Sequence, residues 1–246
     1  MVSVCMATYN GERFIREQID SILCQLKSED ELIISDDGST DKTIEIIKSY
    51  NDNRIILLHH KKNPAIARKK HSRNFYYASE NFENALNHAH GDYVFLSDQD
   101  DVWSPGKVER MVEELERGYD CVQCGFQNIN ECNQPKPLQK GKNVSASVIK
   151  NLAMTPFLGC CMAVDRKAFS YILPFPSMLI GHDLWIGELC VAKKKFGKIP
   201  DILVGYRQHG ENVSPGTSGK SSNPFLFKIT YRIRFIYYLL SRLIAA

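Results

Sequence analysis

No stretch of this chain stays apolar for the ~18 residues that a membrane-crossing helix needs, so the sequence predicts no transmembrane span. No secretory leader is expected: the opening MVSVCMATYN lacks a charged start and a long apolar core. Together these absences lead to the expectation of a cytoplasmic protein. The eight cysteines do not form a zinc framework. Cys121 and Cys124 make one CxxC, with Cys132 nearby and Cys160-Cys161 further on, but no second pair sits at a matching spacing. The residue-level reading is reduced cysteines on buried strands. Net charge is only +3, so composition does not imply nucleic acid. Acid is missing locally, however. HHKKNPAIARKKHSRN (59–74) carries six Lys/Arg and no Asp or Glu, and from Asn212 to the end there are five Lys/Arg and again no acid. Internal repeats are absent too.

What is present fits one α/β domain: 246 residues, 43% hydrophobic, enough for a sizeable core. VSVCMA (Val2–Ala7) reads as a buried strand, and Phe14, Ile15, Ile19, Ile22, Leu23 and Leu26 follow at helical spacing. ELIIS (Glu31–Ser35) is a second strand, ending in the turn residues DDGSTD. A helix begins near Ile44, and RIILLH (Arg54–His59) is a third strand. A helix is expected near Asn81–Ala89, then a fourth strand, GDYVFLS (Gly91–Ser97), then a helix in SPGKVERMVEEL with Pro105 at an early helical position. Strands alternating with helices predict a Rossmann-like, mostly parallel central sheet flanked by helices. Beyond Tyr119 the pattern is less regular. Strands are expected near Cys121–Ile129 and Cys160–Val164, and helices near Arg166–Leu173 and His182–Lys195.

Ligands of open parallel sheets bind beyond the carboxyl ends of the strands. Three polar clusters fall at such ends: ATYNGE, SDDGSTD and SDQDD. In the last, Asp98, Asp100 and Asp101 lie within four residues directly after an apolar run. Carboxylates that close repel one another, and a divalent cation bound to a diphosphate would offset the repulsion.

These stretches, VSVCMATYNGERFIREQIDSIL, LIISDDGSTDKT, ALNHAHGDYVFLSDQDDVW and a downstream GHDLW, resemble glycosyltransferase family 2. The resemblance is strong over residues 1 to about 110 and looser over about 155 to 212. It implies a GT-A fold and an inverting enzyme using a nucleotide-activated sugar. The implied organisation is one glycosyltransferase domain over 1–217, with a nucleotide-binding half to about 110 and an acceptor half after it. A basic amphipathic tail over 218–246 completes the chain.

Carried over position by position, the resemblance puts Thr8, Tyr9 and Glu12 in the nucleotide pocket, with Tyr9 near the base. Asp36 would accept from the imide N–H of uracil or thymine. Asp98 and Asp100 form the DxD motif, with Gln99 between them in the donor site. Asp98 would contact ribose or a water, and Asp100 would ligate Mg²⁺ or Mn²⁺. His209 in YRQHGEN would complete metal or diphosphate binding. Asp183 would be the base that deprotonates the acceptor hydroxyl. Many relatives carry Glu-Asp where this chain has His182-Asp183. Trp103 and Trp185 are candidates for stacking on acceptor sugars. The implied role is transfer from a UDP-hexose, or from dTDP-rhamnose, to a lipid-linked glycan acceptor in bacterial surface-polysaccharide synthesis. No nucleic-acid motif accompanies the basic loop.

Two other readings stand beside this one. IISDDGST superficially suggests a haloacid-dehalogenase-like phosphatase. That chemistry needs nucleophile and acid two residues apart, and Asp36 and Asp37 are adjacent. A nucleotide-sugar-binding module without turnover is the other. The tail adds a surface expectation. Leu226, Ile229, Ile233, Ile236, Tyr237, Leu240 and Ile244 fall on one helical stripe, with Lys228, Arg232 and Arg242 across from it. That pattern fits a helix packed on its own domain or on a partner, or peripheral contact with anionic lipid at the inner face of the plasma membrane.

Overall fold

Strand β1 (Val2–Thr8) is the hub of the protein, buried almost throughout. Its alternation decides both layers of the core. Val4 and Met6 face helix α1 (Ile15–Leu23), where Ile15, Ile19 and Ile22 recur at helical spacing, while Cys5 faces helix α4 (Arg73–Leu86) and its Phe82, Ala85 and Leu86. The computed structural model describes residues 1–137, 143–177, 179, 181–210, 212 and 223–245. Beside β1 run β2 (Glu31–Asp36), β3 (Ile55–His59) and β4 (Tyr93–Asp98), all parallel, in the order β3-β2-β1-β4. Helix α2 (Thr43–Lys48) links β2 to β3, and the short α3 (Pro64–Ala67) lies within the basic loop.

The second half returns to the same sheet with a different logic. After β5 (Val102–Trp103) and α5 (Lys107–Glu116) come β6 (Cys121–Ile129), α6 (Val148–Met154), a 3₁₀ turn at Gly159–Cys161, and β7 (Met162–Asp165). A second 3₁₀ turn (Arg166–Ala168) leads to α7 (Phe169–Ile172), then α8 (His182–Ala192), β8 (Phe196–Arg207) and α9 (Phe225–Ala245). The eight strands form one sheet in the order β3-β2-β1-β4-β7-β6-β8-β5. Four of the seven pairings are parallel; β4–β7, β6–β7 and β5–β8 are antiparallel.

Several elements depart from the sequence reading. The helix expected near Asn81 begins at Arg73, so it takes in Tyr76, Tyr77 and the end of the basic stretch. Pro105 precedes the helix instead of entering it, because Gly106, at φ +79°, forms the N-cap. The helix at 166–173 divides into a 3₁₀ turn and α7. Neither α6 nor β8 was expected. β8 contains Pro200 and Asp201, ordinary strand breakers, and its pairing with β6 shifts register around Gly125. All eight cysteines are free; six are buried, but Cys24 and Cys132 are exposed.

Helix α9 is part of this core, with Phe235 and Leu239 buried in the layer that holds Trp185. Its roll is opposite to what a buried apolar stripe would give. Leu226, Ile233, Tyr237, Leu240 and Ile244 all point to solvent. Arg232 and Arg242 turn inward. Arg232 donates to the Leu152 carbonyl at 3.1 Å, and Arg242 donates to the carbonyls of Tyr171, Leu173 and Pro174 at 3.0, 3.0 and 2.6 Å. Among the described residues, no helix is long and apolar enough to cross a membrane.

Candidate active site

The register of the parallel strands assembles the rim. Thr8 pairs with Asp36, and Ala7 with Asp98, so the ends of β1, β2 and β4 meet at one edge. Gln99 is a brace there. Its Oε1 accepts from Thr8 Oγ1 at 2.6 Å and from the Tyr9 N–H at 2.8 Å, while its Nε2 donates to the Tyr9 carbonyl at 3.1 Å. These bonds lock β4 against β1. Gly11 makes this possible, because a Cβ at that position would lie 2.5 Å from Gln99 Oε1. Tyr9 itself is 47% exposed, with Lys62 Nζ 3.4 Å from the centre of its ring.

Asp36 is buried and organises the turn that follows it. Oδ1 accepts from the N–H groups of Gly38 and Ser39 at 3.0 and 2.9 Å, and Oδ2 accepts from the Ser39 hydroxyl. A carboxylate offers about four acceptor positions, so one remains. Asp37 pairs with His60 Nδ1 at 2.8 Å and lies 3.6 Å from Lys62 Nζ. Glu12 is exposed and accepts from the Lys42 N–H at 2.9 Å, tying the first rim loop to the second.

The acidic loop after β4 concentrates the charge. Burial, then the charges of Asp101, Asp100 and Asp183, push the Asp98 carboxyl well above the ordinary range. Burial, then Asp100, pushes Asp101 up to about 7. Asp100 Oδ2 lies 2.7 Å from His209 Nε2, and its backbone carbonyl accepts from Arg207 Nε at 2.8 Å. Asp101 Oδ1 accepts from the Arg207 N–H at 2.9 Å, whereas its fully buried Oδ2 has no hydrogen-bond partner. Ligand atoms of Asp98, Asp101 and Cys160 lie within 4.8 Å of one another. The crowded carboxylate oxygens of Asp98 and Asp101, one of them unpartnered, suit a hard divalent cation and fit the metal that the resemblance implies; the Cys160 thiol beside them, which burial holds protonated, is not a donor of that kind.

Asp183 stands in the first turn of α8, which Gly181 starts with φ +80°. Burial raises its carboxyl to about 6, against which the Leu184 N–H, at 2.8 Å from Oδ1, pulls downward. Its neighbour His182 does not support it. The imidazole stacks on Phe82 at 4.0 Å, neither ring nitrogen has a partner, and burial lowers it to about 3, so the ring is neutral. Glu188, further along α8, is fully buried beside Asn151 and raised by burial to about 8.

Both tryptophan assignments are overturned. Trp103 is 3% exposed and packs between Phe95 and the buried ammonium of Lys107, 3.7 Å from its ring centre. Trp185 is fully buried, donates to the Ile172 carbonyl at 2.9 Å, and meets Phe235 edge-on. Neither presents a face to a sugar; α8 and β5 place these rings inward. Three site residues went unread in the sequence. Arg207 is fully buried and ties the Asp100 carbonyl to the Glu131 carbonyl and to Glu17. Cys160 is brought beneath the acidic loop by the 3₁₀ turn before β7, and Lys107 donates to its carbonyl at 2.7 Å. Arg207 sits in the quoted YRQHGEN and had that signal; Cys160 and Lys107 had none.

This geometry coincides with what comparison shows. The family described as "Glycosyl transferase family 2" matches residues 3–173, and the chain belongs to it. EpsE of Bacillus subtilis (strain 168), named as a glycosyltransferase, is 40% identical over 135 residues, covering 53% of this chain and 44% of EpsE. TuaG of the same organism, named for teichuronic acid biosynthesis, is 29% identical over 223 residues, 87% of this chain and 81% of TuaG. A Rickettsia felis glycosyltransferase is 28% identical over 87% of this chain, yet only 35% of that protein is spanned. The crystal structure of S. aureus TarS 1–349 in complex with UDP-GlcNAc superposes with a TM-score of 0.66 at 17% identity, over 98% of this chain and 72% of that one. The UDP complex of TarS 1–349 gives 0.61 at 18% identity, over 96% of this chain and 70% of that one. The fold is therefore the GT-A fold.

Proposed function

We propose that the chain is an inverting, metal-dependent glycosyltransferase that moves a sugar from a nucleoside diphosphate to a glycan hydroxyl. The favoured donor is a UDP-hexose, with dTDP-rhamnose second, and the acceptor is a lipid-linked glycan of bacterial surface-polysaccharide synthesis. The names of EpsE and TuaG and the nucleotide in the TarS complexes support this direction. The observation that carries it is the convergence of Asp183, from α8, on the acidic loop of β4, close enough for its charge to act on Asp98.

The exposed Tyr9 ring offers a flat surface to the base, and Asp36 has one acceptor position for an imide N–H. Asp100 and His209 would hold the cation. When bound, Mg²⁺ or Mn²⁺ supplies neutralisation of the charge that develops on the departing diphosphate. Asp183 takes the proton of the acceptor hydroxyl. The oxygen then bonds to the anomeric carbon as the bond from that carbon to the phosphate oxygen breaks on the opposite face. A carboxyl raised to about 6 is ionised at neutral pH, yet it is a stronger base than an ordinary aspartate.

Asp183→Asn keeps the shape and removes the base. Transfer should fall by ~10²–10⁴-fold while nucleotide affinity stays within a factor of about two. Near-normal turnover in this variant would remove Asp183 from the mechanism.

A further inference from the structure

The outward face of α9 carries a run of exposed apolar side chains. Phe225, Leu226, Ile233, Tyr237, Leu240 and Ile244 are all at least half exposed, with Leu226 at 76% and Ile244 at 86%. They follow one face of a 21-residue helix, a length of about 30 Å at 1.5 Å per residue. A contiguous apolar strip of that size on a folded protein marks an interaction surface.

The roll of the helix is fixed, so this exposure is built in. Arg232 and Arg242, which amphipathic reasoning assigns to solvent, are clamps onto main-chain carbonyls of the domain. Phe235 and Leu239 fill the core between them. The helix therefore buries one apolar face and presents the other.

Charge identifies what covers it. α9 contains no acidic residue, and Arg234 on it is exposed. The acid-free loop 59–74 joins the same surface at the start of the helix. The His71 and Phe227 rings lie 5.2 Å apart, and Asn223 donates to Ser72 Oγ at 2.9 Å. Lys61, Arg68, Lys70 and Arg73 of that loop are exposed. A second copy of the chain would bring two acid-free faces together. An apolar strip bordered by cations instead matches the acyl–headgroup boundary of an anionic leaflet, and the helix lies along it because it cannot cross.

We infer that the outer face of α9 and the basic loop 59–74 form one docking surface for a bilayer containing anionic lipid. The surface also borders the site. Lys62 of the loop covers Tyr9, and Tyr231, next to the clamping Arg232, lies within range of the charge of Asp183. Docking would hold the mouth of the site at headgroup level. The docking rests on the surface alone; its use, meeting a lipid-carried acceptor, rests on the transferase reading.

The test is flotation of the full chain with phosphatidylglycerol/phosphatidylcholine vesicles and with phosphatidylcholine vesicles, at low and high salt. Wild type should float with the anionic vesicles, less so as salt rises, and weakly with phosphatidylcholine. I233E/L240E should lower partition by roughly tenfold or more with an unchanged melting temperature, since both positions are exposed. K70E/R73E should lower it less and reduce the salt dependence. Failure of wild type to float with anionic vesicles overturns the inference, as does equal flotation of I233E/L240E. So does a concentration-dependent dimer that I233E/L240E dissociates without any vesicle binding, which would make a second copy the occupant. Transfer to a soluble acceptor, measured in parallel, separates the two readings: flotation without transferase activity removes the function and leaves the surface.

Discussion

The two halves of the sheet reach the same site by different routes. In the first half, β1 to β4 run parallel to one another, and the polar clusters at the ends of β1, β2 and β4 directly follow apolar runs. In residues 117–245, β7 enters antiparallel, β6 and β8 pair with a shifted register, and the helices vary in length. The site residues there, Cys160, Asp183, Arg207 and His209, stand at a 3₁₀ turn, a helix start, a strand end and the loop after it. The first half supplies a regular cradle. The second supplies single groups whose roles depend on where the chain returns. On the proposed assignment, the nucleotide-binding half should fail by loss of ligands and the acceptor half by loss of position.

The largest expected effect belongs to the first half. Asp100→Ala removes the carboxylate facing His209, and the metal-dependent part of UDP affinity should vanish. Calorimetry of UDP with and without Mn²⁺ measures this, and an unchanged metal dependence would move the cation elsewhere in the acidic loop.

Arg207→Met tests the second half's hold on the first. It leaves the Asp100 and Glu131 carbonyls without their donor and should destabilise the fold by about 2–4 kcal/mol. Denaturant unfolding reads the stability. Mn²⁺ affinity should fall as well, because the acidic loop loses its anchor. Weakened stability with intact Mn²⁺ affinity would make Arg207 purely structural.

A smaller effect should follow pH. Asp183 and Asp101 titrate near 6 and 7 in the fold, against about 4 when unfolded. The folded chain therefore holds more protons between those values. Stability from these groups is full below pH 4 and is lost as pH rises through 6 and 7. The metal-free protein should melt several degrees lower at pH 8 than at pH 5, and Mn²⁺ should close much of that gap. Equal melting with and without Mn²⁺ would mean that the repulsion is relieved without a cation.

The smallest effect concerns the tryptophans. Trp185→Phe loses the bond to the Ile172 carbonyl and should cost about 1–2 kcal/mol, with acceptor KM unchanged. A large rise in KM would restore the acceptor role that its burial denies.

The sequence by itself determined the β1–α1–β2–α2–β3 order and the three polar clusters at strand ends. Both are local: strand period, helix period and turn residues are written within a few residues of one another. It also showed that DDGST and SDQDD belong on a rim, because apolar runs feed directly into them. Tertiary structure decided the rest. Whether Trp103 and Trp185 meet ligand or core depends on the packing of Lys107, Phe95 and Phe235 around them. That Gln99 braces β1 depends on register. The tail shows the limit most clearly. Its periodicity marked an apolar stripe, but α9 is apolar on two faces, and the burial of Phe235 and Leu239, with Arg232 and Arg242 bonded to carbonyls far away in sequence, fixes which of them turns outward.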